Sequence, residues 1–290
     1  MIKAAGLTGI ALITILSGIN APAFGKEKKD RTRSVYFSWG YNTATYTKST
    51  VHIKQPSLGN DYKFIKVKAH DNRGWNHRLL HQQLTIPQYN YRLGVYFNKA
   101  QDLAIELNFD HVKYIIAEGQ SIKTEGTMNN APYNGNIMFT HANGFYYFLN
   151  NGANFFCFNI VKRKGLYSTK DRNLYIDLTG KAGAGPVIPH VENSLFGKKN
   201  DKGFQFGGWN AGLETALRVT FMKYAYLEFA QKVDYARYSN LKVYEGRARQ
   251  AFGTYELILS LGAIIPTTKN NPLFTPAAPE NSGKEQQTGE

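Results

Sequence analysis

The chain has 290 residues, a formal net charge of +14, 14% aromatic residues and 27 glycines. This composition favours strands and turns over helices, and so basic a chain favours anionic partners such as phosphorylated lipid, acidic polysaccharide or nucleic acid. The single cysteine, Cys157, excludes an intramolecular disulfide, so cysteine usage does not indicate a compartment.

The first 25 residues have the pattern of a cleaved export signal. Lys3 is a short basic n-region, residues 4–16 are an apolar h-region, and small residues end the segment at Ala23 or Gly25. A membrane anchor is the alternative, but the h-region is too short to span a hydrocarbon core of about 30 Å. We therefore expect cleavage after Ala23 or Gly25. No cysteine stands at the cleavage site, which argues against a lipoprotein, and residues 26–33 follow as a charged lead-in.

Strict alternation of apolar and polar residues predicts the first strand at residues 34–46. Residues 47–85 then form a long polar segment with a short strand predicted at residues 62–69. The next segment, residues 86–112, contains two alternating runs joined by a turn at residues 98–101, which is the pattern of an antiparallel hairpin. Each run is about as long as the roughly 9–11 residues that cross a bilayer at a tilt.

The hairpin has one apolar and one polar face, because strand side chains alternate. The apolar face comprises Tyr89, Tyr91, Leu93, Val95, Phe97, Leu103, Ile105, Leu107 and Phe109. The polar face comprises Gln88, Asn90, Arg92, Glu106, Asn108 and Asp110. We expect the apolar face to contact lipid and the polar face to point inward.

The second half of the chain repeats this alternation. The predicted order is a polar segment at residues 118–142, an aromatic strand region at 143–161, a basic turn at 162–171, a strand at 173–183, a loop at 184–203, a hairpin at 204–238 turning at Met222 and Lys223, a loop at 239–249 and a last strand at 251–264. The tail, residues 266–290, is rich in Pro, Asn, Gln and Glu and is predicted to be disordered.

Connection lengths favour eight strands, since long and short connections then alternate along the chain. A ten-strand count is the alternative. It needs residues 62–69 as a spanning strand and a further hairpin at residues 150–154, and it places the intervening turns on the wrong side.

This pattern resembles the small outer-membrane β-barrels of Gram-negative bacteria, which have short periplasmic turns and long outer loops. The resemblance rests on strand pattern over residues 34–265. It implies an all-β, antiparallel transmembrane barrel in the outer membrane, with a periplasmic tail. One departure is that many such barrels end on a C-terminal Phe in the last strand, whereas this chain continues past residue 265.

The inward charges are the first candidate site. They are Arg92, Glu106, Asp110, Asp177, Lys181, Glu214, Arg218, Glu228, Lys232, Asp234 and Glu256. Because side chains fill the interior of an eight-stranded barrel, we expect these charges to pair and to plug the lumen. A proton or ion path through the lumen is the alternative.

The basic segment 47–85 is the second candidate site. We expect Lys66, Lys68, Arg73 and Arg78 to bind outer-membrane lipid, namely the phosphates of lipopolysaccharide, or another anionic surface ligand. A simple solvated basic loop is the alternative. His77 and His81 have helical metal-ligand spacing, but no third ligand is evident, so we predict no metal and no cofactor. Export argues against nucleic acid, and the sequence does not indicate an oligomeric state.

An enzyme site is the third candidate, since the class includes lipid A-modifying hydrolases that use a His with a nearby Ser. His141, and His190 with Ser194, are the candidates, but their spacing shows no nucleophile within reach of a base. Cys157 is predicted to be an apolar packing residue. The sequence favours a non-enzymatic surface barrel. The alternatives are a lipid A-modifying hydrolase and a soluble exported β-barrel that binds a ligand.

Overall fold

The computed structural model describes residues 34–72, 88–98, 100–149, 152–171 and 173–267. Over these residues the chain forms β1 (Ser34–Tyr46), β2 (Ser49–Gln55), β3 (Asn60–Val67), β4 (Ala69–His70), β5 (Tyr89–Tyr96), β6 (Leu103–His111), β7 (Tyr114–Ile116), β8 (Gln120–Met128), β9 (Ala131–Phe139), β10 (Tyr146–Leu149), β11 (Phe155–Ser168), β12 (Leu174–Val187), β13 (His190–Leu195), β14 (Lys198–Phe204), β15 (Gly208–Phe221), β16 (Ala225–Val243) and β17 (Gly246–Pro266). The export signal, the charged lead-in and the tail beyond Thr267 lie outside the described residues.

Eight of these strands close into a ring. The order is β1-β5-β6-β11-β12-β15-β16-β17, and β17 pairs back onto β1 from Ser34↔Pro266 to Tyr46↔Thr254. Every pairing in the ring is antiparallel. The eight-stranded barrel that the sequence favours is therefore confirmed. The predicted strand at residues 62–69 exists as part of β3 and β4, but it does not join the ring.

The barrel is apolar outside and polar inside, as the alternation predicts. Outward side chains are exposed although they are apolar, for example Leu93 at 49%, Ile105 at 60% and Ile160 at 68%. Their neighbours in sequence point inward and are buried, as for Arg92 and Glu106. A water-soluble barrel has the reverse arrangement, because apolar surface is favourably removed from water.

Short turns join strand pairs at one end of the barrel, here named the turn end. They lie between β5 and β6, β11 and β12, and β15 and β16. In the last of these turns Met222 and Lys223 both have positive φ, 49° and 70°. Two consecutive left-handed residues give the turn twist that matches paired strands. One predicted boundary differs, because β11 continues through the predicted basic turn to Ser168.

The long connections at the opposite end are folded, which differs from the predicted polar loops. They add β2, β3, β8 and β9 to the barrel sheet through the extended end of β17. They also form a second sheet with the order β14-β13-β10-β7-β4. These added strands, together with the ends of β16 and β17 that extend beyond the ring, are named the cap. Residues 118–142, 184–203 and 239–249 are thus largely strand.

An apolar core holds the cap together and lies over the barrel mouth. Its fully buried members include Val51, Ile53, Tyr62, Phe64, Val67, Val112, Tyr114, Phe139, Tyr147, Leu149, Phe155, Val187, Val191, Leu195, Leu241 and Phe252. Aromatic rings meet inside it, as for Phe64 and Phe139 at 4.8 Å and Tyr114 and Phe252 at 4.4 Å. Burial raises the pKa of the Tyr147 phenol, so this phenol is neutral near neutral pH.

Cap strands such as β2, β8 and β14 were not predicted, because polar residues outnumber apolar residues in them. In β2, Val51 and Ile53 face the core while His52 and Lys54 face outward. This is the period of two that marks a half-buried strand. The high content of Lys, Asn and Gly in the connections makes this period of two difficult to recognise from the sequence.

Candidate functional site: the charged lumen and the basic cap surface

Alternate positions on the ring strands place charged side chains inside the barrel, where they are almost completely buried. Those are the predicted Arg92, Glu106, Asp110, Asp177, Lys181, Glu214, Arg218, Glu228, Lys232, Asp234 and Glu256. Charges in a low-dielectric interior require partners, because an unpaired buried charge costs several kcal/mol. The structure therefore has to supply a paired network.

Arg92 and Lys181 are the centre of this network. The Arg92 guanidinium donates to Asp110 at 2.6 Å and to Glu214 at 3.1 Å. The Lys181 ammonium lies 2.8 Å from Glu214 and 3.1 Å from both Glu106 and Glu228. Two cations on β5 and β12 thus hold carboxylates from β6, β15 and β16, which links opposite walls of the barrel.

Arg218 and tyrosines fill the lumen toward the turn end. Arg218 Nε donates to Glu228 at 2.6 Å, and its guanidinium lies over the rings of Tyr226 and Tyr36 at 4.1 and 4.9 Å. The Tyr36 hydroxyl donates to Glu106 at 2.7 Å. Aromatic faces stabilise a desolvated guanidinium, so the charge on Arg218 is compensated without water.

Lys232 completes the network toward the cap, at 2.8 Å from Asp110 and 3.1 Å from Asp234. Glu256 differs from the other inward charges, because it lacks the predicted ion pair among the described residues. It accepts a hydrogen bond from Asn42 Nδ2 at 2.6 Å, and no ion pair within 4 Å joins it to the described part of the chain. The other inward charges in the prediction each lie within 4 Å of an opposite charge.

Cys157 is not the apolar packing residue that its phenylalanine neighbours indicated. It faces the lumen, where its thiol lies 2.7 Å from Asn210 Oδ1 and 3.7 Å from Lys232 Nζ. The phenylalanines at Phe156 and Phe158 point to the other side of β11. The alternation of a strand, and not local composition, decides the direction of this side chain.

The enzyme candidates lie in or beside the second cap sheet, with His190 and Ser194 on β13 and His141 in the turn before β10. His141 is exposed, and its Nδ1 lies 3.1 Å from Glu118 Oε1. This bond lowers the pKa of the Glu118 carboxyl. Ser194 is buried and donates to the Gly144 carbonyl at 2.9 Å, and His190 Nε2 lies 2.9 Å from Asp201.

His190 and Ser194 do not form a catalytic pair. They stand four positions apart on β13, which is about 13 Å along an extended strand. His141 and Ser194 do line one open cavity of about 360 Å³, although no hydrogen bond joins them. This proximity could not be read from the sequence, because the pairing of β10 with β13 creates it.

The predicted basic segment is only partly described. Lys66 on β3 and Lys68 after it are exposed, whereas Arg73, Arg78, His77 and His81 lie outside the described residues. Strand pairing adds cations that the sequence analysis did not select. On the outer face of β16, β17, β2 and β3 these are Lys54, Lys63, Arg237, Lys242, Arg247 and Arg249. These six residues are named the basic face.

Two cross-strand rows organise the basic face. Arg249 lies opposite His52, which lies opposite Lys63, and in the next row Arg247, Lys54 and Asp61 are aligned in the same way. Asp61 accepts hydrogen bonds from His52 at 2.5 Å and lies 2.9 Å from Lys54. These bonds, that from His52 first, lower the pKa of the Asp61 carboxyl.

Cations outnumber their partners on the basic face. Arg249 Nε donates to His52 Nδ1 at 2.8 Å, so this imidazole joins Arg249 to Asp61. In the described part of the chain no ion pair is formed by Lys63, Arg237, Lys242 or Arg247. The face therefore presents a net positive potential to the outside.

Neither a metal centre nor a spanning helix occurs in the described ranges. No group of three or more His, Cys, Asp or Glu side chains there is arranged to hold a metal ion. No helix there is long and apolar enough to cross a membrane.

Comparisons with known proteins give structural similarity without sequence similarity. No family model and no curated protein sequence matches the chain. One similar solved structure is Neisserial surface protein A, with 9% identity and a TM-score of 0.33, covering 80% of this chain and 96% of that one. Another is Ail, the attachment invasion locus protein of Yersinia pestis, in complex with the heparin analogue sucrose octasulfate, with 12% identity and a TM-score of 0.31, covering 82% of this chain and 100% of that one. A third is the outer membrane protease OmpT of Escherichia coli, with 9% identity and a TM-score of 0.33, covering 83% of this chain and 99% of that one.

The architecture is that of a small outer-membrane β-barrel. The closed eight-stranded ring, its exposed apolar exterior and its charged interior are all features of this class.

Proposed function

We propose that the chain spans the outer membrane as a non-conducting barrel and presents a basic outer surface to anionic glycolipid or polysaccharide. The apolar exterior supports the membrane placement. Ring strands such as β15, with 14 residues, are long enough at about 3.3 Å per residue to cross an apolar band of about 25 Å at a tilt. The turn end then faces the periplasm and the cap faces outward.

Two features support a sealed lumen. Arg92, Lys181 and Lys232 cross-link the walls through carboxylates, so the interior is filled by side chains. At the outer end the apolar core of the cap covers the mouth, and Phe155 lies 5.8 Å from the Lys232 ammonium, at the boundary between the two. A hydrated ion would have to cross an apolar layer as well as a paired one, which is costly.

The observation that carries the binding role is the basic face. The pairing of β16, β17, β2 and β3 brings six cations onto one outward surface, and in the described residues only Lys54 has an ion pair, while the other five have none. Lys66 and Lys68 extend this surface, and Arg73 and Arg78 follow them in sequence. Guanidinium and ammonium groups form charge-assisted hydrogen bonds with phosphate and sulfate, which are the anionic groups of surface glycans and lipids.

Binding of lipopolysaccharide to the protein in lipid nanodiscs tests this proposal. We expect replacement of Lys66, Lys68, Arg73 and Arg78 by Gln to weaken binding and to flatten its salt dependence, because exposed charges are screened over about 8 Å at physiological ionic strength. A control for charge loss elsewhere on the cap is Lys198→Gln with Lys199→Gln, which removes two lysines from the second cap sheet. Equal binding by the wild type and the four-site variant would contradict the role of this segment.

A lipid A-modifying hydrolase is the second candidate, because His141 and Ser194 line one cavity and Glu118 contacts the imidazole. The buried Ser194 hydroxyl donates to a backbone carbonyl, which favours a structural role. Mass spectrometry of lipid A from cells with and without the protein separates the two. Loss of an acyl chain that depends on His141, His190 or Ser194, but not on the basic residues, would establish the enzyme and exclude the binding role.

A further inference from the structure

A cavity of about 370 Å³ opens in the basic face where two strands separate. β17 pairs with β2 at Arg247–Arg249 and with β1 only from Thr254 onward. Between these two pairings the wall is not continuous, although Thr47 and Gly253 still exchange hydrogen bonds. The cavity is lined by Thr50, His52, Lys63, Tyr235, Arg237, Tyr238, Ser239, Arg249, Gln250 and Ala251.

Three cations line the cavity. Lys63, Arg237 and Arg249 surround it, and none of the three has a carboxylate partner within 4 Å in the described part of the chain. The nearby acids are already paired, Asp61 with His52 and Lys54, and Glu125 with Lys123.

An apolar groove of about 510 Å³ meets this cavity at Tyr235, which lines both. The groove runs along the lipid-facing surface, where small side chains of β12 and β15 (Ala182, Ala211) leave a depression beside Leu213 and Val233. The inward row Gly183, Gly212 and Asp234 lies beneath it. The Asp234 carboxylate is held by Lys232 at 3.1 Å.

We propose that the cavity and the groove together bind one phosphorylated, acyl-chain-bearing lipid of the outer leaflet. The phosphate lies between Lys63, Arg237 and Arg249, one acyl chain lies in the groove, and Tyr235 separates the two regions. On β16 the outward residues Val233, Tyr235 and Arg237 follow one another. Val233 would contact the acyl chain, Tyr235 would lie at the membrane interface, and Arg237 would contact the phosphate of the headgroup. This inference rests on the proposed membrane placement and narrows the proposed ligand from any surface polyanion to a lipid.

The apolar groove is the reason for choosing a lipid over a soluble polyanion. A polysaccharide would use only the cations, so it would bind regardless of the shape of the lipid-facing surface. A lipid that uses both parts is sensitive to both. Changes in the groove therefore distinguish the two ligand classes.

Native mass spectrometry of the detergent-solubilised full-length protein tests the site, with bis-phosphorylated lipid A as the probe. Dephosphorylated lipid A and a sulfated oligosaccharide are the comparison ligands. The variants are Arg237→Gln with Arg249→Gln in the cavity, and Ala211→Trp or Ala182→Phe in the groove. Both groove changes add apolar volume on a lipid-facing surface, and a gel-mobility change on boiling checks that each variant folds. Lys198→Gln with Lys199→Gln is the control.

We expect the cavity variant to bind lipid A roughly tenfold or more weakly, because it loses charge-assisted hydrogen bonds. The groove variants should bind lipid A several-fold more weakly but bind the sulfated oligosaccharide as the wild type does, and dephosphorylated lipid A should bind weakly throughout. If groove variants bind lipid A as the wild type does while the cavity variant loses both anionic ligands, the lipid site is wrong and the general polyanion role stands. If the cavity variant binds lipid A as the wild type does, the proposed lipid site is wrong. This holds whether or not the four-site variant of the basic segment binds lipopolysaccharide more weakly.

Discussion

At the scale of single residues, the barrel interior depends on matched charges. Arg92 contacts Asp110 and Glu214 and is 1% exposed. Removing one member of such a network leaves the others buried without a partner, which is more damaging than removing an exposed pair. The two kinds of ion pair, lumenal and surface, should therefore differ sharply in their effect on stability.

Arg92→Ala should lower the free energy of unfolding by about 3–5 kcal/mol, because two buried carboxylates lose their guanidinium. Urea unfolding of the protein refolded into lipid vesicles measures this. Lys54→Ala, which removes the exposed ion pair of Lys54 with Asp61, should change the value by less than about 1 kcal/mol. Equal effects of the two changes would contradict a structural role for the lumen network.

Asp61 makes a pH-dependent contribution to the cap. Hydrogen bonds from His52 and Lys54 lower the pKa of its carboxyl below 3.8. A carboxyl whose folded pKa is depressed stabilises the fold above its unfolded pKa, and this stabilisation is lost as pH falls through the folded pKa. We expect the carboxyl carbon of Asp61 to titrate below pH 3.8 by NMR. In the His52→Ala variant the midpoint should rise toward the ordinary value, and an unchanged midpoint would contradict the assigned cause.

At the scale of elements, strand pairing rather than local sequence creates both the cap and the basic face. The hairpin of β5 and β6 was predictable because its alternation is strict and its turn is short. The basic face was not, since Arg237, Arg247 and Arg249 are distant in sequence from Lys54 and Lys63. The registers of β17 with β2 and of β2 with β3 bring them together. Periodicity predicts which way a side chain points, but it does not predict which strand lies beside it.

The cap should behave as a unit that can be loosened without opening the barrel. Phe64 is fully buried in the cap core, at 4.8 Å from Phe139 and 5.2 Å from Tyr62. Phe64→Ala should cost about 3–5 kcal/mol of local stability through the cavity it leaves. Hydrogen exchange should then accelerate in β2, β3 and β8 while β15 stays protected. Uniform acceleration in cap and barrel would contradict separate stability of the cap.

At the scale of the whole molecule, the chain combines a small outer-membrane-type β-barrel with a folded cap, and we propose that its lumen is sealed. The charged network and the apolar core of the cap follow one another along the barrel axis. In planar bilayers the purified protein should therefore give no steady conductance. Phe155→Ala, at the boundary between the two layers, should by itself remain closed, because the charged layer persists. Steady large openings of the wild type would contradict the sealed lumen.

Contact between the apolar outer face of the ring and lipid is measured most directly by spin-label accessibility. In a Cys157→Ser background, single labels along β15 in lipid bilayers would be exposed to oxygen and to a water-soluble nickel chelate. We expect labels at Leu213, Leu217 and other outward positions to be accessible to oxygen and shielded from nickel. Labels at exposed positions of the basic face, such as Lys54, should be accessible to nickel. Nickel access along the outward face of β15, or recovery of the folded protein without detergent, would contradict this contact with lipid.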